Sequence, residues 1–283
     1  MNYQNILDYG NNILSLNNIK TSQLDCELIL SNILNKTREE ILINLNAKVD
    51  QKQIEKFNFY LSKRKKKEPI AYVLGYKHFW KHKFLVDKSV LIPRPETEQI
   101  VEEALKFIPT NHSKMVLDIG TGSGCIIISI LKERSKCKAI ALDISFKALK
   151  IAKTNAKLHH LENKIKFINI DIDKYKSNKY DLILSNPPYI KNVDLNRLDD
   201  GVKLYEPKLA LSGGFDGFKE IKKVIRKSSK LLKVNGYIII EIGEKQKNYS
   251  LQLLKQYGFY VKRIFKDLSS KDRCIVAEKL VNE

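Results

Sequence analysis

The sequence predicts an α/β protein, a mostly parallel sheet covered by helices on both faces, behind a small helical domain. Three observations carry this expectation. After residue 113, short apolar strand-like runs alternate with helix-like runs, the pattern of a parallel sheet buried on both faces. Gly120, Gly122 and Gly124 follow the first of those runs at once, where a strand must turn sharply into a helix. Residues 1 to about 70 instead place apolar groups at three- and four-residue intervals and show little strand character.

The elements follow in order. Ile13, Leu14 and Leu16, then Leu24, Leu28, Ile29 and Ile33, then Ile54, Phe57, Tyr60 and Leu61 mark the inward faces of N-terminal helices. Thr37 followed by Glu40 has the spacing of a capping box. The basic run "KRKKK", Lys63 to Lys67, falls where a helix should end, so a solvated last turn favoured by the helix dipole accounts for it. Next, "HFWKHKFLV" and "SVLI" are expected to form the two arms of a short hairpin, and Pro95 with its acidic neighbours marks a helix start. The expected organisation is a helical domain over residues 1–75, a hairpin linker over 76–95 and the α/β domain over 96–283. Within the last, "MVLDIG", "KAIALD", "KIKFINI", "YDLILS" and "GYIIIEIG" read as strands. "GCIIISILKER", "SFKALKIAKTNAKLH" and "GFKEIKKVIRKSSKLLK" read as the helices between them. "GFYVKRIF" and "RCIVAEKL" read as a closing pair, antiparallel to each other.

Composition narrows the class. With 43% hydrophobic and 29% charged residues the chain can bury a sizeable core, which excludes a disordered or fibrous protein. The N-terminus "MNYQNILDYGNN" has neither a basic nor an apolar leader region, and no apolar run approaches the roughly 20 residues of a membrane span, so a cytoplasmic protein without membrane contact is expected. Cys26, Cys125, Cys137 and Cys274 form no C-x-x-C pair and no ligand-spaced set with the histidines, so neither a metal site nor a disulfide framework is expected. Cys125 reads as a small core residue. The net charge of +19 suits a polyanionic partner such as RNA, but a uniform excess of lysine explains it equally well.

The glycine turn reports on ligand class. A dinucleotide fingerprint would need glycine at 125 or 127, where Cys125 and Ile127 stand, and no Gly-Lys-Ser/Thr ending marks a phosphate loop. What remains is G-x-G-x-G preceded by Asp118, which suits a ligand carrying an ammonium group and no pyrophosphate. Asp143 ends the next strand about 20 residues beyond the glycines, the offset at which a carboxylate accepts both hydroxyls of a ribose. Asp171, ending the third strand, would border the base and accept from its exocyclic amine.

The corner "SNPPYI" poses a different requirement. An NH2 group offers two hydrogens and needs two fixed acceptors, for which the Asn186 side-chain oxygen and the Pro187 carbonyl are the candidates. Two prolines restrict the backbone on both sides and bring no competing N–H. Tyr189 could lie flat against a planar acceptor group and exclude water. Glu206, in "YEPKLALSGGFDG", is expected to fasten a loop over the site, Arg94 to tie the linker to the α/β domain, and His78 and Trp80 to pack in the hairpin.

Taken together, "LDIGTGSG" and "SNPPYI" resemble motifs of class I S-adenosylmethionine-dependent methyltransferases. "LGYKHFW", "LIPRPETE", "SNPPYI", "YEPKLALSGGFDG" and "IIIEIG", in this order, resemble the peptide chain release factor glutamine N5-methyltransferases, the PrmC/HemK family, over nearly the whole chain. The resemblance implies a Rossmann-like class I methyltransferase sheet, mostly parallel with an antiparallel last strand, after a small helical substrate-recognition domain and a hairpin linker. It implies S-adenosyl-L-methionine as cofactor, S-adenosyl-L-homocysteine as product, and the glutamine of the Gly-Gly-Gln loop of class I release factors as acceptor. Carried over by position, Asp118, Gly120, Thr121, Gly122, Ser123, Gly124, Asp143, Asp171, Ile172 and Asn186 would bind the cofactor. Asn186, Pro187, Pro188 and Tyr189 would bind the glutamine, with Asn186, Pro187 and Tyr189 carrying catalysis. Some relatives have an aromatic ring where this chain has Ile172. A monomer is expected, with nucleic-acid contact allowed but not required by the charge. The alternative reading is a DNA or RNA base amino-group methyltransferase, since the same corner can hold an exocyclic NH2 of a flipped base.

Overall fold

The structure is a computed structural model that describes residues 1–177 and 179–280. In chain order the helices are α1 (Tyr3–Leu16), α2 (Ser22–Leu34), α3 (Arg38–Ile43), α4 (Gln51–Lys65), α5 (Ile70–Leu74), α6 (Glu98–Phe107), α7 (Cys125–Glu133), α8 (Phe146–Leu158), α9 (Asp200–Tyr205), α10 (Lys208–Leu211), α11 (Lys219–Leu231) and α12 (Lys247–Gln256). The strands are β1 (Tyr76–Phe79), β2 (His82–Leu85), β3 (Met115–Ile119), β4 (Lys138–Asp143), β5 (Ile165–Asn169), β6 (Tyr180–Ser185), β7 (Leu232–Glu241), β8 (Phe259–Lys266) and β9 (Asp272–Lys279). The chain divides into two compact units. One comprises Met1–Tyr76 with Asp199–Tyr205, and the other comprises Lys77–Leu198 with the chain from Glu206 onward.

In the helical unit, Leu14, Ile29, Leu30, Ile41 and Phe57 are fully buried. Gly10 on α1 faces Cys26 and Phe57 so closely that a Cβ there would lie 2.7 Å from the Cys26 sulfur and 2.8 Å from the Phe57 ring. The capping box forms, Thr37 Oγ1 accepting from the Glu40 N–H at 3.2 Å and Glu40 accepting from the Thr37 N–H at 2.6 Å. Two expected inward residues point outward, Leu16 at 84% exposure and Leu24 at 39%. The α1 face that packs runs through Tyr3, Ile6, Gly10 and Leu14, and Leu16, two residues beyond Leu14, falls on the far side. The basic run is also more than a solvated turn. Arg64 is drawn inward to Asp25 at 2.6 Å, with only 14% and 3% of the two side chains exposed. Lys67 pairs with Asp200, and Lys66 offers its carbonyl to the Tyr205 hydroxyl at 2.7 Å, which fastens α9 to this unit.

The second unit begins with the hairpin β1–β2, whose turn lies inside "HFWKHKFLV" at Trp80, φ +55°. The arms are therefore Tyr76–Phe79 and His82–Leu85, the first beginning two residues before that segment, and "SVLI" is not a strand. The left-handed turn is held by the Trp80 N–H donating to Glu98 at 2.7 Å and the indole N–H donating to Glu133 at 3.0 Å.

Among the described residues the main sheet has seven strands in the order β5-β4-β3-β6-β7-β9-β8. β5, β4, β3, β6 and β7 pair in parallel, whereas β9 runs antiparallel to both of its neighbours. This is the Rossmann-like, mostly parallel sheet with an antiparallel last strand. Successive residues of each strand feed opposite cores. Val116 joins Ile100, Ile128 and Val276 on one face, and Leu117 joins Ile221, Ile225 and Leu254 on the other. That explains strands apolar at every position, Ile238, Ile239 and Ile240 all being fully buried. α12 was not among the expected elements. Its inward residues Ser250, Leu253 and Leu254 are too few and too short a run to stand out as a helical period.

Candidate functional site

The carboxyl ends of β3, β4 and β6 border a cavity of about 400 Å³, the place where open α/β sheets receive ligands. β3 delivers the chain into the glycine turn. Gly120 and Gly122 adopt φ +74° and +56°, and a Cβ on either would meet no atom within 4 Å, so both present bare backbone to open space. Gly124, φ +80°, works differently: it starts α7 and packs against Ile128 and Ala152. Gly120, Thr121, Gly122 and Ser123 line the cavity, and Gly124 lies behind them.

Asp118 lies beneath the turn, fully buried and outside the lining. Its Oδ2 accepts from the Thr121 hydroxyl at 2.6 Å, and its Oδ1 has no partner. Burial pushes its pKa up to about 7, against the pull of the Thr121 bond. An orphaned buried oxygen beneath a glycine cradle is a feature that a cationic group in the cavity would favour.

Asp143 lines the cavity and already accepts two backbone N–H groups, Gly122 at 2.9 Å and Ser145 at 2.8 Å. A carboxylate has about four lone-pair sites, so two remain for ligand hydroxyls. Burial raises its pKa, partly offset by those backbone bonds. Asp171 lines the cavity too, capping the following turn through the Asp173 N–H and lying 3.7 Å from Lys223. Ile172 is buried and contributes an apolar wall.

β6 ends at Ser185, whose hydroxyl donates to the Ile119 carbonyl at 2.8 Å and ties the corner to β3. Asn186, Pro187 and Pro188 follow on the cavity wall. The Asn186 Nδ2 donates to Thr97 Oγ1 at 3.0 Å, Thr97 donates to Glu241 at 2.7 Å, and the Tyr189 hydroxyl lies 3.4 Å from the other Glu241 oxygen. Thr97 and Glu241 were not among the expected site residues, although a carboxylate inside "IIIEIG" is itself a signal. A Glu at the end of an otherwise apolar strand must have partners if it is to be buried.

Tyr189 is not on the cavity wall. Its backbone is clasped from behind: the Gln246 side-chain N–H2 donates to the Tyr189 carbonyl at 3.2 Å, and a Cβ on Gly213 would lie 2.8 Å from the Tyr189 Cα. Gly213 and Gly217 thus pack behind the corner, while Pro207, Leu209, Ala210 and Ser212 form the wall beside it. Glu206 fastens that wall, pairing with Arg94 at 2.5 Å and accepting the Ile92 N–H at 3.3 Å. His78 is exposed. The four cysteines are free and buried, and no group of three or more metal-type ligands occurs among the described residues. No helix among the described residues is long and apolar enough to cross a membrane.

Residues 110–275 match the family described as "Methyltransferase domain", and residues 5–75 match "PrmC N-terminal domain". The chain is 36% identical to the release factor glutamine methyltransferase of Caulobacter vibrioides over 92% of this chain and 91% of that one. It is also 35% identical to the bifunctional methyltransferase of Rickettsia typhi over 95% of its length, but spans only 56% of that protein. In fold it is similar to the ribosomal protein L11 methylase of Lactobacillus delbrueckii subsp. bulgaricus, with a TM-score of 0.52 at 19% identity, covering 73% of this chain and 91% of that one. By sequence identity over nearly its whole length, with the glycine turn and the Asn-Pro-Pro-Tyr corner meeting at one cavity, this chain belongs to the release factor glutamine methyltransferase family.

Proposed function

We propose that the chain transfers a methyl group from S-adenosylmethionine to the side-chain amide nitrogen of the glutamine in the Gly-Gly-Gln loop of class I peptide chain release factors, as a cytoplasmic monomer. The observation that carries this reading is the juxtaposition at one cavity of a bare-backbone glycine turn, the Asp143 carboxylate and the Asn186–Pro188 corner. The glycine turn would receive the amino-acid part of the cofactor, Asp143 its ribose hydroxyls, and Asp171 with Ile172 its base. S-adenosylmethionine, when bound, supplies an electrophilic methyl on a sulfonium.

The acceptor is the harder half, because an amide nitrogen has its lone pair delocalised into the carbonyl. The Asn186 oxygen and the Pro187 carbonyl hold the two hydrogens of the glutamine NH2, and the prolines keep those acceptors from moving. Holding the nitrogen about 3 to 3.5 Å from the carbon it attacks turns a bimolecular encounter into a positioned one. No general base is needed beforehand, since the methylated nitrogen is cationic and loses its proton readily. Tyr189 contributes by anchoring the corner, and the Pro207–Ser212 wall excludes water. The 1–75 domain recognises the release factor away from the reacting residue. A chain lacking that domain should bind cofactor and fail on whole release factor.

Incubation with labelled cofactor and a release factor tests the reading. Label should appear on the wild-type factor and vanish with Gln→Ala in its Gly-Gly-Gln loop. Labelling that survives that change, or that falls on nucleic acid instead, refutes it.

A further inference from the structure

Asn186 has two faces of similar shape and opposite chemistry, an oxygen that accepts and an NH2 that donates. Only one is useful to an acceptor NH2 group. What decides between them lies on two other elements. Thr97, 3% exposed, comes from the turn before α6, and Glu241, 2% exposed, ends β7. A hydroxyl has a single hydrogen. Thr97 Oγ1 gives its hydrogen to Glu241 at 2.7 Å, so towards Asn186 it can only accept, and the Asn186 atom at 3.0 Å must be the NH2.

We propose that Glu241 is a positioning residue for the transfer: acting through the Thr97 hydroxyl, it fixes the orientation of the Asn186 amide so that the Asn186 oxygen faces the substrate nitrogen. The inference rests on the reading of Asn186 as an acceptor for a substrate NH2.

The relay depends on Glu241 being an anion. With a proton on the oxygen facing Thr97, Glu241 would donate to Thr97, and the Thr97 hydrogen would turn to Asn186. The Asn186 oxygen would then face Thr97, and the cavity would meet an NH2 that repels another NH2. The groups facing Glu241 are Thr97 and Glu96 from the turn before α6, Tyr189 from the corner, and Arg273 and Cys274 from β9. Burial, helped by Glu96 and opposed by Thr97, Arg273 and Tyr189, brings the Glu241 pKa up to about 7. Arg273 is itself held by Asp267 at 2.8 Å, so it does not neutralise Glu241 alone. The relay is therefore complete above neutrality and reverses below it.

Three variants separate this role from packing. Thr97→Val keeps the shape and removes the hydroxyl, Thr97→Ser keeps the hydroxyl, and Glu241→Gln removes the charge. Thr97→Val and Glu241→Gln should lower kcat about ten- to a hundredfold, the range seen when the partner that orients a working group is lost. Cofactor affinity by calorimetry should stay within about twofold, and Thr97→Ser should retain most of kcat. Wild-type kcat should rise through about pH 7, and Glu241→Gln should lose that limb.

A readout without substrate separates this inference from the assigned function. In 15N-labelled protein the Asn186 side-chain amide signal, identified by its loss in Asn186→Asp, should move with a midpoint near pH 7. It should stand still in Thr97→Val and in Glu241→Gln. Movement in the wild type together with an unmethylated release factor refutes the function and keeps the relay. An immobile wild-type signal, or Thr97→Ser as impaired as Thr97→Val, overturns the relay.

Discussion

Replacing Arg94 by Met should destabilise the second unit far more than the loss of a surface ion pair would. Arg94 is a third exposed, but its partner Glu206 has only 1% of its side chain in contact with solvent. With the guanidinium gone, the carboxylate keeps a single weak donor, the Ile92 N–H at 3.3 Å. A buried charge stripped of its partner costs about 3–5 kcal/mol, whereas an exposed pair contributes about 0–1 kcal/mol. The choice between those ranges is set by the 1% figure, because water cannot reach Glu206 to replace the lost guanidinium. Urea unfolding followed by tryptophan fluorescence is the assay, since Trp80 is the sole tryptophan of the chain and lies in this unit. Arg94→Met/Glu206→Gln should recover most of the loss, a coupling of at least about 2 kcal/mol. A single variant that loses less than about 1 kcal/mol refutes the reasoning, and so does a double variant no better than the single.

Three further outcomes are expected. Gly122→Ala places a Cβ in the cavity at φ +56°, so cofactor affinity by calorimetry should fall more than about tenfold while stability falls only about 1–2 kcal/mol; unchanged affinity would show that the turn is not a ligand cradle. Gly10→Ala drives a methyl into Cys26 and Phe57 and should destabilise the helical unit by about 1–3 kcal/mol in thermal unfolding followed by circular dichroism, with cofactor binding retained; a neutral result would mean the helices part without strain. Asp118 has a folded pKa raised from 3.8 to about 7, so its contribution to stability is full below about pH 4 and is lost as pH rises through about 7. Asp118→Asn should therefore gain on the wild type by up to about 4 kcal/mol between pH 4 and pH 8, the equivalent of about three pKa units, and a gap that stays constant with pH counts against the burial argument.

The parts of the molecule that announce themselves are those whose requirement is local. A parallel strand must be apolar on both faces, a strand-to-helix turn must accept positive φ, and a doubled proline fixes its own backbone. Hence β3 to β7, Gly120, Gly122 and the Asn186–Pro188 corner are legible from short windows. Thr97 and Glu241 are not, because their meaning arises only when residues 144 positions apart share a hydrogen bond. The same holds for Arg64, whose partner Asp25 lies 39 positions away and turns one member of a basic run inward. The hairpin went astray for a related reason. Its turn at Trp80 carries no glycine or asparagine, and carboxylates on α6 and α7 supply what those residues would have done. Tyr189 shows the limit of reading a motif as a unit, since its neighbours face the cavity while it is clasped from behind.

The strand order has a consequence for how the protein comes into being. β9 follows β8 in the chain, yet it lies inside the sheet between β7 and β8. During synthesis β7 is made some thirty residues before its partner, and until Asp272–Lys279 arrives its edge shows Ile238, Ile239 and Ile240 with unpaired backbone groups. The sheet can therefore close only after Asp272–Lys279 has been made, because β8 pairs with β9 and not with β7. A chain interrupted before Asp272 would carry an open, adhesive edge along β7 in place of a paired strand, so closing of the sheet waits on β9.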